Sequence, residues 1–381
     1  MATITVPGAG STTTTLTYNG TSNAALATSI ANSLSASLAS LTIATVSGAG
    51  GVVPPPTPGT ANQLVITSPG AVTVPGGYDA VVDESGGSAP LAVTGVSNFL
   101  GGNGPLAVTS AGGLITAGDG NDVFNLSGNY SVAAGAGNNQ YNLAGTGQVS
   151  LGGGLSLINI IQGADTIFAG ASPGVTGING HSGSVFFYAG DATTNTPTFV
   201  TGGTGGNTIV GAANNTIIYA SPSATGGSVS GALLVAGAGS ETIYGVPSTT
   251  NDAIYGGFTG DASDLLWAGS GNDALVAGSG NESLVGGGGT DTFYVANSSL
   301  LSTIAGTTIT PGKDTIFLTH PGDNLALTGF DTLYGGAAGS NTAATAIRST
   351  LAAGGGNAVT LKDGTTITFV GSTTGLNIIS S

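Results

Sequence analysis

Cysteine is absent from the 381 residues, which removes disulfides, thiolate metal sites and cysteine nucleophiles from consideration. Basic side chains are almost absent as well: Lys313, Arg348 and Lys362 stand against 18 acidic residues, for a net charge of −15. Nucleic acid and anionic lipid are therefore excluded as partners, because neutralising phosphate needs basic clusters. No apolar run reaches the length of about 18 residues that a membrane-spanning helix needs, so no membrane insertion is expected. The opening MATITVPGAG has neither a basic segment nor an apolar one behind it, so a Sec-type signal is not expected there. Histidine is limited to His181 and His320, neither in a zinc-binding spacing, and GHSGS at 180–184 fails the GxSxG nucleophile pattern. The chain is expected not to be an enzyme.

Glycine is abundant instead, at 70 residues, and apolar residues make 40 % of the chain with mean hydropathy +0.34. Disorder needs low hydrophobicity and dense charge, so this chain is expected to fold. Residues 1–50 read as a ββα module. ATITV and TTTTLTY have strand composition, and 22–41 carries Leu26, Ile30, Leu34, Leu38 and Leu41 as one apolar stripe of a helix. The rest of that helix is Ser, Asn and Thr without charge, so the module either packs on its own sheet or also contacts a neighbouring subunit. Residues 51–94 read as a Pro/Gly-rich linker, stiffened by VVPPPTPG at 52–59, followed by strands leading into the repeats.

From 95 to 336 the sequence repeats with a period of nine. Residues 259–267 are TGDASDLLW, 268–276 AGSGNDALV, 277–285 AGSGNESLV and 286–294 GGGGTDTFY; looser copies include AGDGNDVFN at 117–125 and ALTGFDTLY at 326–334. Each nonad has a glycine-rich half, which permits positive-φ turns, and a half of pattern x-U-x with a single apolar residue U pointing inward. One such strand cannot bury its face alone, whereas stacked coils build two parallel sheets about a narrow apolar row. The expected fold is all-β: a parallel β-roll or β-solenoid with a small N-terminal α+β module. Ten of the 18 acids fall at position six of a nonad, among them Asp122, Asp165, Glu241, Asp252, Asp314 and Asp331.

The nonads 268–276, 277–285 and 286–294 resemble the RTX (repeats-in-toxin) pattern GGxGxDxUx, a resemblance that implies a calcium-binding β-roll. Ca²⁺ takes six to eight oxygens, and glycine turns can offer carbonyls while position six offers a carboxylate. With two nonads per coil, ligands pair 18 residues apart: Asp264 faces Glu282, and Asp273 faces Asp291. Carbonyls would come from Gly269, Gly271, Gly278, Gly280, Gly287 and Gly289. Asp122, with Asp119 beside it, forms a further candidate opposite Asn139. At the isolated nonads the acids serve equally well as plain turn formers.

Residues 337–381 read as a C-terminal cap. AVTLKDGTTITFVG at 358–371 and the STTGLNIISS that follows resemble the uncleaved end of RTX proteins exported by type I systems, and a capping hairpin explains the same residues. The composition is similar to crystalline surface-layer proteins of some Gram-negative bacteria. A secreted, calcium-dependent protein that self-assembles into a surface layer, fibre or biofilm matrix is expected, located outside the cell or on its surface. The alternative is an adhesin-like module that binds polysaccharide, with Tyr244, Tyr255 and Phe293 either sheet residues or sugar-stacking ones.

Overall fold

A computed structural model describes residues 2–8, 12–18, 21–36, 41–48, 50–169, 175–189, 198–211, 216–221, 231–247, 249–258, 263–353 and 357–381. It divides into two compact units, Met1–Phe186 and Phe187–Ser381, and both are built as parallel β-solenoids.

The first unit opens with an antiparallel hairpin, Ala2–Pro7 against Thr13–Tyr18, followed by the helix Thr21–Ala36. Ala27, Ile30 and Ala31 of that helix are buried together with Val6, Leu16, Tyr18, Val82 and Leu100. Of the expected apolar stripe, Ile30 is buried against the chain itself and Leu26 is half-buried. Tyr18 pins the module to the coils beneath, donating from its hydroxyl to the Gly101 carbonyl at 3.1 Å. The helix ends at Ala36, and Leu41 instead opens a strand, Leu41–Val46; Leu38 and the side chain of Leu34 lie outside the described residues.

Parallel pairing starts at that strand, well before the nonads. Leu41–Val46 pairs with Ala61–Ile66, which pairs with Ala80–Asp83. Four long strands follow, Leu91–Leu100, Leu106–Thr116, Val123–Ala133 and Asn139–Leu151, each parallel to the next. They stack Val93, Val108, Phe124, Tyr141 and Ile158 into one buried column, and Phe99, Ile115, Val132 and Val149 into another. Each strand turns a corner at glycine, where coils approach too closely for a side chain: a Cβ on Gly145 would lie 2.1 Å from the Gly128 carbonyl oxygen.

The second unit is narrower. Its strands are mostly three residues long, and the central one is buried between two half-exposed neighbours, as x-U-x requires. One sheet stacks Ile209, Leu234, Ile254, Leu275, Phe293, Leu325 and Ile378. The other stacks Ile218, Ile243, Leu266, Leu284, Ile316 and Phe369. Full burial of each such side chain contributes about 1.5–3 kcal/mol, and the row is the unit's core. The helix Ser298–Ala305 sits in an excursion that lengthens one coil, capped by Asn297, which accepts from the Leu300 N–H. At the C-terminal end Ala358–Thr360 and Thr366–Val370 form the antiparallel hairpin, while Thr366–Val370 and Asn377–Ser380 each extend a parallel sheet.

Candidate metal centres

In the described coils from Glu241 to Asp314, position six sits at the corner where a turn becomes a strand. Glu241, Asp252, Asp264, Asp273, Glu282, Asp291 and Asp314 all sit at such corners, and each is at most 4 % exposed. The 18-residue pairing holds in the tandem block: Leu265 stands opposite Ser283 and Ala274 opposite Thr292. Asp264 is therefore beside Glu282, and Asp273 beside Asp291. The first four residues of the nonad 259–267 lie outside the described residues.

The aspartates have a repeated task. One oxygen of Asp291 accepts the Gly287 N–H of its own turn at 2.9 Å, and the other accepts the Asp273 N–H of the preceding coil at 2.9 Å. Asp273 does the same with Gly269 at 2.8 Å and Asp252 at 2.7 Å. Asp264 does so with Gly257 at 2.8 Å and Glu241 at 2.9 Å. Each carboxylate thus closes one turn and ties it to the coil before. Asp323 continues the series by accepting the Asp291 N–H at 3.1 Å, and Asp314 accepts the Glu282 N–H at 3.3 Å. Here the separation is 32 residues, because the excursions lengthen the coils.

Glutamate does not fit this pattern. Glu282 Oε1 reaches back to the Gly280 N–H at 2.8 Å, and Oε2 is buried without a hydrogen-bond partner, beside the Asp314 carboxyl. The carboxyl of Glu241 is likewise buried, beside the Gly239 backbone two residues back and the Asp264 carboxyl. The longer side chain meets the N–H two residues back, where Asp273 and Asp291 meet the one four residues back.

Burial raises the pKa of these acids, against the hydrogen bonds that lower it. Asp273 is pushed up to about 6, with Asp252 and Asp291 adding repulsion. Asp252, Asp264, Asp291 and Asp314 are raised for the same first reason. Glu241 and Glu282 are raised by burial and then by their carboxyl neighbours. Two of the three basic residues are engaged elsewhere: Arg348 donates to the Ile378 carbonyl, and Lys362 to the Leu333 carbonyl at 3.1 Å over the Tyr334 ring. Buried anions without counter-charge must either keep a proton or take up a cation.

The glycine turns suit a cation whose ligands are largely carbonyl oxygens. Among the described residues no three acids or histidines converge into a metal cage, so a bound ion would draw most of its oxygens from backbone. Positive φ is not what selects most of these glycines. Of Gly269, Gly271, Gly278, Gly280, Gly287 and Gly289, only Gly289 has it, at +95°. Close stacking of the coils selects the others: a Cβ on Gly287 would lie 1.6 Å from the Gly269 carbonyl oxygen, and one on Gly269 would lie 1.8 Å from that of Val246.

In the first unit Asp122 plays the same part with a coil of 17 residues. Its Oδ1 accepts the Leu106 N–H at 3.0 Å, its own N–H donates to Asn139 Oδ1 at 3.0 Å, and its Oδ2 is buried without a partner. Burial, with Asp119 nearby, pushes Asp122 up to about 7. Asp119 faces outward and accepts the Ala136 N–H at 2.9 Å. Asn139 shows that an amide can make the inter-coil tie. Asp165 is pushed up to about 6 by burial and accepts from the Tyr130 hydroxyl.

Two details lie outside what nonad spacing reveals. Asp331 does not introduce a strand at 332–334, which is turn; it accepts from the N–H groups of Asn341 and Ala343 at the start of the helix Thr342–Ala352, and the strand of that coil is Asn324–Thr328, headed by Asp323. Position five forms a second ladder: Asn251 Oδ1 accepts the Asn272 N–H at 3.0 Å, and Asn272 Oδ1 accepts the Thr290 N–H at 2.8 Å. The recurring Gly-Asn pair in GND, GNE and GNN was its signal.

Residues 258–293 match the family model described as the RTX calcium-binding nonapeptide repeat, in 4 copies. No curated protein and no solved structure matches the chain. The chain is a parallel β-solenoid that carries RTX nonapeptide repeats, and these repeats bind Ca²⁺.

Proposed function

We propose that this is a secreted structural protein, without catalytic activity, whose Ca²⁺-loaded solenoid assembles with copies of itself into a layer, fibre or matrix outside the cell. One observation carries the reading. The corner acids are turned inward, while the outward strand positions are neutral apart from Lys313 and include exposed Tyr188, Phe199, Leu233, Tyr294 and Val370. Such faces offer little electrostatic resistance to a second copy. Each bound Ca²⁺ cancels two negative charges of a chain at −15, so metal uptake both firms the corners and weakens the repulsion between copies. The candidate ligands are Asp264, Asp273, Glu282 and Asp291 with the turn carbonyls between them, and Asp122 in the first unit. Export by a type I system agrees with the RTX repeats, and scarce intracellular Ca²⁺ would keep the chain open until it has left the cell.

Negative-stain microscopy of the purified chain, first in excess EGTA and then in millimolar CaCl₂, tests the proposal. Ordered polymers only in calcium are expected. Monodisperse particles in both conditions, at high protein concentration, contradict it.

A further inference from the structure

One sheet of the second unit carries an aromatic series on its outer face. Tyr219, Tyr244 and Trp267 end the strands Thr216–Tyr219, Thr242–Tyr244 and Leu265–Trp267, and the parallel register sets them side by side on successive coils. The Tyr219 and Tyr244 ring centres are 4.9 Å apart with planes 10° from parallel; those of Tyr244 and Trp267 are 6.2 Å apart and tilted by 37°. Carbon atoms in contact sit about 3.5–4.0 Å apart, so parallel rings with these centres must be slipped past one another like shingles. Each therefore leaves part of a face open, and the Trp267 tilt opens more. Tyr219 is 41 % and Trp267 47 % exposed.

These rings wall a groove of about 370 Å³ whose rim includes Ser221, Pro247 and Ser270, a size within the range of small-ligand sites. Among the described residues no acid or base lines it. The nearby carboxylates of Asp252 and Asp273 are buried and accept from the backbone N–H groups of Val246 and Gly269. The series is also bounded, since Thr201 precedes Tyr219 in the register and Val285 follows Trp267.

We infer that this groove binds an uncharged, extended glycan, with sugar rings lying on the aromatic faces and sugar hydroxyls meeting the serines and turn backbone. The rings recur once per coil, with centres 4.9 and 6.2 Å apart, so that successive rings can meet successive sugars of an extended chain. The neutral lining selects against phosphate and carboxylate ligands. A second copy is a poorer occupant, because a stable protein interface needs about 800 Å² per partner and three rings supply only a fraction of that. The site does not depend on the assembly proposal, since it lies within one chain.

Trp267 is the only tryptophan, so its emission reads occupancy directly. The full chain in CaCl₂, kept dilute, is titrated with cellohexaose and separately with chitohexaose. A saturable change in emission with either sugar is expected. Tyr244→Ala should weaken it about tenfold, as the loss of one aromatic contact implies, and Tyr244→Phe should preserve it. Tyr294→Ala, on the opposite sheet, should leave it unchanged and controls for folding. The inference is overturned if neither sugar gives a saturable change at about 10 mM, a weak-binding limit. It is also overturned if Tyr244→Ala binds as the unaltered chain does, or if emission shifts with protein concentration alone, which would make a second copy the occupant.

Discussion

A single aspartate at position six performs three tasks: it closes its turn, ties that turn to the preceding coil, and buries a negative charge. Asn139 and Asn207 separate these tasks. Asn207 Oδ1 accepts the Gly203 N–H at 3.0 Å, four residues back, as Asp273 does with Gly269, yet carries no charge. An amide has one acceptor oxygen where this carboxylate uses two, so Asp291→Asn should keep one of the two N–H ties, lower calcium-free stability less than the alanine change does, and weaken calcium binding. Asp291→Ala should lower stability by about 1–3 kcal/mol in EGTA as well, because the N–H groups of Gly287 and Asp273 lose their acceptor. Denaturant melts with and without calcium distinguish the two. Glu282→Asp should shorten the side chain enough to meet the inter-coil N–H, raising the melting temperature in both conditions. Titration adds a sign. The folded-state pKa values of Asp273 and Asp122 are raised to about 6 and about 7, above the unfolded carboxyl near 4, so the folded chain holds more protons in between. Calcium-free stability is then greatest in acid and falls as pH rises through those values. A melting temperature in EGTA that is higher at pH 8 than at pH 5 would contradict this.

The repeat element is a turn plus a three-residue strand, and its legibility in the sequence was uneven for physical reasons. The x-U-x column was readable because a single inward residue per strand must be apolar, and Leu266, Leu275, Leu284 and Phe293 all lie in it, fully buried. The pairing of Asp273 with Asp291 was readable because the tandem block has no insertions. Insertions defeat the method elsewhere. PGDNLALTG hides Asp323 because its turn lacks the glycine spacing, and ALTGFDTLY mimics a nonad while Asp331 caps a helix instead. The early coils were unreadable for another reason: strands such as Ala61–Ile66, all buried but for the first residue, look like any interior strand. Two substitutions probe the element. Leu275→Ala should cost about 2–5 kcal/mol in a chemical denaturation, since its neighbours Ile254 and Phe293 are fixed by the ladder. Gly287→Ala should disrupt the calcium block, because its Cβ has no room beside the Gly269 carbonyl.

For the whole molecule the central fact is where the charge lies. A chain with 18 acids and three bases places its corner carboxylates inside two narrow β-solenoids, where burial raises them and neither Arg348 nor Lys362 meets them. Calcium is the partner that turns this arrangement from a liability into a clamp, because a divalent ion offsets the desolvated charge and holds turn carbonyls at the same corners. Neutral outer faces then become the surface the protein presents. The most direct test is scanning calorimetry of the full chain at pH 7.5, in EGTA and again in millimolar CaCl₂. A transition that moves markedly upward and sharpens in calcium is predicted; an unchanged melting temperature and enthalpy in the two conditions would contradict the account.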